Sequence, residues 1–451
     1  MTSSTSAIPD YLTGIWAPVP DEIEARDLPV TGALPPQLSG RYFRNGSNPR
    51  PGEDPGNLFM GHGMVHGVRL RDGRAEWYRN RWVRTRALEG HPFVRRDGTL
   101  DYTAVPANTH VLNHGGKLLA LAENGFPYEI TDELDTVGPH DYGGKLQMAM
   151  TAHPKTDPVT GDLHAFGYGA VPPFVTYYRV SAEGELVTSM PIEVPGPTMM
   201  HDIAITERYV IFLDLPMVFQ PDLHVPYRWS DEYGSRLGVM PMDRPGEVRW
   251  FEIDPCYIFH VGNAYEDEAG RIVVDNAHYA PADMMALWDN SGGTPLSAAT
   301  GAASGTARMH RITLDLATGA VHEEQLDDRG IEFPTVDDVK VGRPSRYVYT
   351  VANFYKDGAI MRHDLHDGKT VTHELGDDVV AGEAVFVPDE SPDRAEDDGW
   401  LISITTRRDG SASQMLVLDA TDVGGEPVAT VTLPRGVPAG FHGVWIPDEE
   451  S

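Results

Sequence analysis

Residues 174–185 read FVTYYRVSAEGE. In the first seven, every residue except Arg179 is β-branched or aromatic, which suits a pleated, half-buried strand. The last four, AEGE, form a glycine-centred turn. The same pairing of strand and turn recurs along the chain. Further turns read RDGR (71–74), NHGGK (113–117), VTGD (159–162), EAGR (268–271), ATGA (317–320), HDGK (366–369) and GGEP (424–427). Between and beside them lie short apolar segments such as EWYRNRWVRT, KLLALAE, YVIFLDL, EVRWFEI, RIVVDN, RYVYTV, WLISIT and MLVLD. Several alternate apolar with polar residues, the period of a half-buried strand. Helical periodicity is nearly absent, and only DMMALWDN (283–290) and DEYGSRLG (231–238) are predicted as short helices. Many short strands with 46 glycines and 36 prolines indicate an all-β fold. At 451 residues a β-propeller is the natural architecture, read as one domain over 1–451. No WD or kelch period is visible, so the blades have diverged. The polar stretch PDESPDRAEDDG (388–399) is predicted to be a surface loop between strands.

Composition excludes several classes of function. Acidic side chains outnumber basic ones 67 to 36, a formal net charge of −31. Such a surface repels phosphate, which argues against nucleic acid and against electrostatic attachment to anionic lipid. No apolar run is long enough to span a membrane as a helix. The opening MTSSTSAIPDY lacks the basic and apolar regions of a signal peptide. A single cysteine, Cys256, precludes an internal disulfide framework, and a reducing, cytoplasmic setting is expected.

The chain has eighteen histidines. His322, His363, His366 and His373 lie in polar, turn-rich contexts and are expected to face solvent. Four others sit among small or apolar residues in or beside strand-like stretches. They are His153 in TAHPKTD, His201 in MMHDIAI, His260 in YIFHVGNAY and His442 in GFHGVW. Their gaps are 201−153 = 48, 260−201 = 59 and 442−260 = 182 residues, unlike any compact metal motif. A propeller removes that objection, because each blade aims its inner strand at a common axis. Three carboxylates also lie in apolar surroundings: Glu123 in LLALAENGFPYEI, Glu332 in GIEFPTVD and Glu383 in VAGEAVFVP. An unpaired carboxylate is costly there, and metal-bound imidazoles commonly donate their second N–H to such a group. Four neutral imidazoles suit iron, copper, zinc or nickel. Four histidines would close a zinc site, whereas six-coordinate ferrous iron keeps positions free, which favours iron.

The sequence resembles the carotenoid cleavage oxygenases, a family that includes the lignostilbene dioxygenases, and most of all their bacterial, actinobacterial-type members. The likeness runs nearly end to end. It is carried by LPVTGALPPQLSGRYFRNGSNP, MVHGVRLRDGRAEWYRNRWVRT, ANTHVLNHGGKLLAL, TAHPKTDPVTGDLH, MMHDIAIT, YIFHVGNAYED, EFPTVD, GEAVFVP and PRGVPAGFHGVW. The resemblance implies a seven-bladed β-propeller with a cap of loops and short helix over one face. It implies one Fe(II) per chain held by His153, His201, His260 and His442. Glu123, Glu332 and Glu383 would orient His201, His260 and His442 in that order, leaving His153 without a carboxylate. The implied reaction is oxidative scission of a conjugated C=C bond by O₂ to two carbonyl products. A carotenoid or apocarotenoid is the expected substrate.

Two positions depart from the family pattern. The segment GHGMVH places His62 where an aspartate is common, with His66 close by, and is read as loop variation. Stilbene-cleaving members carry lysine just before the first of the three glutamates; here that residue is Ala122, and the aromatic in NRWVRT is Trp82. Both features weaken a phenolic stilbene as substrate, the alternative within the family. A non-enzymatic ligand-binding propeller is the alternative outside it. The stretch PMVFQPDLHVPYRW (216–229) is apolar and proline-rich, and is expected either to cap the propeller or to touch a membrane surface.

Overall fold

Every one of the glycine turns lies between two antiparallel strands. In the computed structural model, which describes residues 8–223, 225–291, 305–352 and 358–448, Gly184 of AEGE takes φ 85°, a backbone conformation that favours glycine. That turn joins Val175–Val180 to Leu186–Ile192. The hairpins assemble into seven sheets, the blades, plus one two-stranded ribbon.

Blade 2 runs outward from the axis as His110–His114, Lys117–Leu121, Tyr128–Ile130 and Thr136–Pro139. Blade 3 follows with Lys155–Thr156, Leu163–Tyr168, Val175–Val180 and Leu186–Ile192. Blade 4 is Ile203–Ile205, Tyr209–Asp214, Ser235–Pro241 and Arg249–Ile253. Blade 5 is Tyr257–Glu266, Ile272–Tyr279, Arg308–Leu314 and Val321–Gln325. Blade 6 is Ile331–Thr335, Tyr347–Ala352, Gly358–Asp364 and Lys369–Gly376. In blades 2, 3, 5 and 6 each strand pairs with its sequence neighbour, and in blade 4 a two-stranded ribbon intervenes between the second and third strands.

Blades 1 and 7 close the ring with both ends of the chain. The inner strand of blade 1 is the C-terminal Gly443–Pro447, paired with Gly40–Ser47; Gly63–Arg71, Arg74–Trp82 and Glu24–Arg26 complete the sheet. Blade 7 uses a broken inner strand, Val379–Ala381 and Val385–Pro388, then Gly399–Arg407, Ser413–Asp419 and Ala429–Thr432. The early segment Val30–Gly32 adds its outer edge. Pairing distant ends removes free sheet edges at the seam. Asp448 reinforces it by accepting from Arg69, whose guanidinium is buried, at 2.5 and 2.6 Å.

Two sequence expectations need correction. DEYGSRLG is a turn followed by the strand Ser235–Pro241, because Gly234 at φ 77° breaks any helix and Leu237 pairs with Leu213 in blade 4. His363 does not face solvent: it is buried in Gly358–Asp364, with its ring nitrogens bonded to Thr350 at 2.8 Å and Thr370 at 3.0 Å. A mid-strand position turned toward a neighbouring strand outweighs the polar local sequence. His322 and His366 are exposed, and His373 is half-buried against Gly425. The segment DMMALWDN is helical within Pro281–Ser291, and 388–399 joins two strands of blade 7 as a loop.

That helix is half of a cap. The ribbon Met217–Phe219 with Tyr227–Trp229 emerges from blade 4, and the Trp288 indole N–H donates to the Tyr227 carbonyl at 3.2 Å. Met217 is buried, and the ribbon's other described apolar side chains are half-buried rather than free in solvent. Phe59 stacks on Trp288 at 5.8 Å and on Phe441 at 6.1 Å. An aromatic path therefore leads from the cap to the residue preceding His442. No helix among the described residues is long and apolar enough to cross a membrane.

Candidate metal centre

Inner strands from different blades place the four singled-out histidines at the hub. His153 precedes the first strand of blade 3, His201 precedes that of blade 4, His260 lies within that of blade 5, and His442 leads into that of blade 1. Ring centroids of His153 lie 4.3 Å from His201, 5.2 Å from His260 and 4.6 Å from His442. His260 is 5.2 Å from His201 and 4.9 Å from His442. His153, His201 and His260 each offer a ring nitrogen, and these atoms lie within 4.8 Å of one another.

Three carboxylates hold three of these rings. His201 Nδ1 meets Glu123 at 2.5 Å, His260 Nδ1 meets Glu332 at 2.6 Å, and His442 Nδ1 meets Glu383 at 3.1 Å. A carboxylate at Nδ1 selects the Nδ1–H tautomer and leaves Nε2 as the free donor of electron density. Two of the glutamates are themselves pinned. Glu332 accepts from the Tyr279 hydroxyl at 2.6 Å and from its neighbour's amide, Phe333 N, at 2.7 Å. Glu383 accepts from Gly443 N at 2.7 Å. The Tyr227 ring of the cap ribbon meets the Tyr168 ring edge-on at 6.5 Å, and burial, with the Glu123 carboxylate nearby, raises the Tyr168 phenol. Among the described residues His153 has no carboxylate, and its buried Nε2 has no partner, an arrangement that costs on the order of 1–3 kcal/mol unless something fills it.

At two of the four hub histidines burial favours the neutral ring. Burial, then the three neighbouring imidazoles, hold His153 well below the usual histidine range. Burial also lowers His260, outweighing the opposing pull of Glu332. At His201 burial acts the same way, but the Glu123 carboxylate outweighs it and raises the imidazole. Burial would raise Glu332 and Glu383, yet His260 and His442 respectively bring them below the usual carboxylate range. Glu332 and Glu383 therefore favour the ionised state, while burial favours the neutral ring at His153 and His260.

Several supporting residues escape a reading of the sequence. Asp202, fully buried, accepts from Lys155 Nζ at 2.6 Å, Ile203 N at 2.7 Å and Val261 N at 2.8 Å, tying together the strands that carry His153, His201 and His260. Phe333 takes φ 50°, a costly conformation for a bulky residue, and packs its ring 5.1 Å from both His260 and His442. Blade 2 contributes a fifth imidazole, His110, edge-on to His442 at 5.5 Å; burial lowers it to about 4. Its apolar setting in ANTHVLN was the available signal. His62 and His66 do not act together: His62 lies 3.3 Å from Glu53, and His66 bonds the Tyr78 hydroxyl at 2.9 Å. Ala122 is buried in the core of blade 2, and Trp82 donates to the Asn48 carbonyl.

Comparison with known proteins places this geometry. The family model described as retinal pigment epithelial membrane protein matches residues 16–447. A carotenoid cleavage oxygenase of Mycobacterium tuberculosis is 39% identical, with 97% of each chain covered. The crystal structure of Pseudomonas brassicacearum lignostilbene dioxygenase superposes with TM-score 0.85 at 28% identity, covering 98% of this chain and 100% of that one. A cobalt-substituted Synechocystis apocarotenoid oxygenase superposes with TM-score 0.81 at 26% identity, covering 96% and 97%. With a matched model across nearly its whole length, the chain belongs to the retinal pigment epithelial membrane protein family, that of the carotenoid oxygenases.

Proposed function

We propose that this protein is a non-haem iron(II) dioxygenase that cleaves one conjugated C=C bond of a carotenoid or apocarotenoid with O₂, giving two carbonyl products. The observation that carries the proposal is the hub itself: three imidazoles preset by carboxylates, and a fourth whose buried Nε2 has no partner among the described residues. Family membership supports it, since relatives carry the name carotenoid cleavage oxygenase or dioxygenase.

His153, His201, His260 and His442 would hold the iron. Bound there, ferrous iron supplies the redox chemistry that lets dioxygen add across an alkene. The chain's own residues do the rest. Glu123, Glu332 and Glu383 keep three Nδ1–H groups occupied and so keep Nε2 aimed inward. Phe259, packed 4.9 Å from His201, and Phe333 line the imidazoles with apolar surface and exclude water. Phe441, Phe59, Trp288 and Tyr227 offer an apolar route from the cap, suited to a polyene. Where that route halts the substrate decides which bond lies beside the hub. No side chain is required as a general acid or base.

The likeness to a lignostilbene dioxygenase supports a second reading, an aryl alkene as substrate. Ala122 speaks against it, because a buried methyl offers a phenol nothing to bind. Aerobic incubation of iron-loaded protein with apocarotenoids and stilbenes side by side, with products identified by mass, tests both. Aldehydes from polyenes that require iron support the main reading. Rapid stilbene turnover without polyene turnover replaces it with the second. Equal product from metal-free protein, or ligand binding indifferent to His153→Ala, points to a propeller without this chemistry.

A further inference from the structure

We propose that blade 5 carries a second metal site, for a zinc-class divalent cation, formed by His278, His310 and Glu323. This inference is independent of the reaction at the hub. The three residues stand on adjacent strands, Ile272–Tyr279, Arg308–Leu314 and Val321–Gln325. The register pairs Asn276 with His310, His278 with Arg308, and Ile312 with Glu323. His278, His310 and Glu323 thus form a diagonal stripe on one face of the sheet, where side chains two residues apart point the same way. One ligand atom from each lies within 4.8 Å of the others. The two imidazoles stack at 4.2 Å with 29° between their planes.

Among the described residues, Nδ1 of His278, Nδ1 of His310 and Oε2 of Glu323 are buried atoms without a hydrogen-bond partner. Two stacked imidazoles cannot satisfy each other's ring nitrogens in this orientation. Glu323 uses only Oε1, which accepts from Asp254 N at 2.7 Å. Among the described residues neither Glu323 nor Asp254 has an ion pair, and burial, with Asp254 close by, raises the Glu323 carboxyl. Burial keeps both imidazoles neutral, the state that coordinates.

Two imidazole nitrogens and one carboxylate oxygen make the ligand set of a tetrahedral zinc with a fourth, open position. Modest side-chain rotation brings the three atoms to bonds of about 2.0–2.2 Å. The set disfavours magnesium and calcium, which prefer oxygen. A cation there would pin three strands together one residue away from Tyr279, the hydroxyl that holds Glu332.

The test uses iron-loaded protein equilibrated with a slight excess of zinc chloride, desalted, and analysed for both metals by mass spectrometry. Wild-type protein should retain about one zinc per chain in addition to its iron. Its thermal midpoint should rise with zinc. Glu323→Gln keeps an amide oxygen for Asp254 N while losing the anionic ligand, and His278→Asn removes a nitrogen donor. Both should lose the zinc and the zinc-dependent rise in midpoint while keeping iron and turnover. Three outcomes overturn the proposal: no zinc retained by wild type, equal zinc retained by Glu323→Gln, or zinc gained only as iron is lost.

Discussion

The hub and the stripe in blade 5 are both clusters of histidine with glutamate, yet they treat their imidazoles in opposite ways. At the hub, Nδ1 of His201, His260 and His442 is occupied by a carboxylate, and two of those carboxylates are bonded again, to Tyr279, Phe333 N or Gly443 N. Ring orientation and tautomer exist before any ligand arrives. In blade 5 the Nδ1 atoms of His278 and His310 are the unsatisfied atoms, and no outer carboxylate steers them. The hub is preorganised and the stripe is adaptable. Preorganisation suits chemistry, where a small displacement of the reacting atoms costs rate; an adaptable set suits a cation that only fastens strands.

Substitutions can break or sharpen that contrast. The largest effect is expected from His260→Ala. It removes a proposed iron ligand and leaves Glu332 buried beside a cavity, so iron content should collapse and polyene turnover should fall on the order of 100-fold or more. Zinc uptake in blade 5 should persist; its loss together with iron would show the two clusters to be one coupled unit. Glu332→Gln comes next. It keeps the shape but weakens the hold on the His260 tautomer, and iron retention against a chelator should weaken about 10–100-fold. Glu383→Gln should cost less, because its His442 contact at 3.1 Å is longer than the 2.6 Å contact of Glu332. Equal losses would mean that outer carboxylates act by charge alone.

Tyr279→Phe probes a residue that holds Glu332 at the hub and follows His278 on the same strand. Deleting a hydrogen bond to an ionised carboxylate should lower stability by about 1.5–3 kcal/mol in chemical denaturation, with a few-fold loss of iron retention. Asp448→Asn is the control at the ring seam and should disturb neither cluster. Arg69 first, against the opposing effect of burial, lowers Asp448 to about 2. A carboxylate depressed on folding adds stability above its unfolded value, and that stability is lost as pH falls through the folded value. The partly exposed Asp448 should therefore contribute about 1–2 kcal/mol at neutral pH, present in wild type and absent in the variant. The two proteins should converge as the pH approaches 2, which acid unfolding curves measure.

Much of this was legible along the chain because propeller blades are local. Each hairpin turn announces itself through glycine between apolar runs, so strands such as Val175–Val180 and Ile272–Tyr279 could be read directly. His153, His201, His260 and His442 could be singled out because each interrupts apolar sequence, where an imidazole needs a reason. His363 misled for the converse reason: polar neighbours in HDLHDGK hid a strand interior bonded to Thr350 and Thr370. DEYGSRLG misled because its spacing of apolar residues is helical, while cross-strand pairing decided for a sheet. Asp202 gave no signal, since its three partners come from three blades.

The sequence by itself determined the all-β character, the turns and the set of buried histidines and glutamates, because these follow from side-chain chemistry and a period of two. Only the tertiary structure decided that seven sheets close, with Val30–Gly32 on one side of the seam and Gly443–Pro447 on the other. It set each hub glutamate against the histidine that the family resemblance implies, and it alone gathered His278, His310 and Glu323 from gaps of 310−278 = 32 and 323−310 = 13 residues. The physical reason is that convergence on an axis, and register between strands, are properties of closure and pairing, which no local stretch of chain contains.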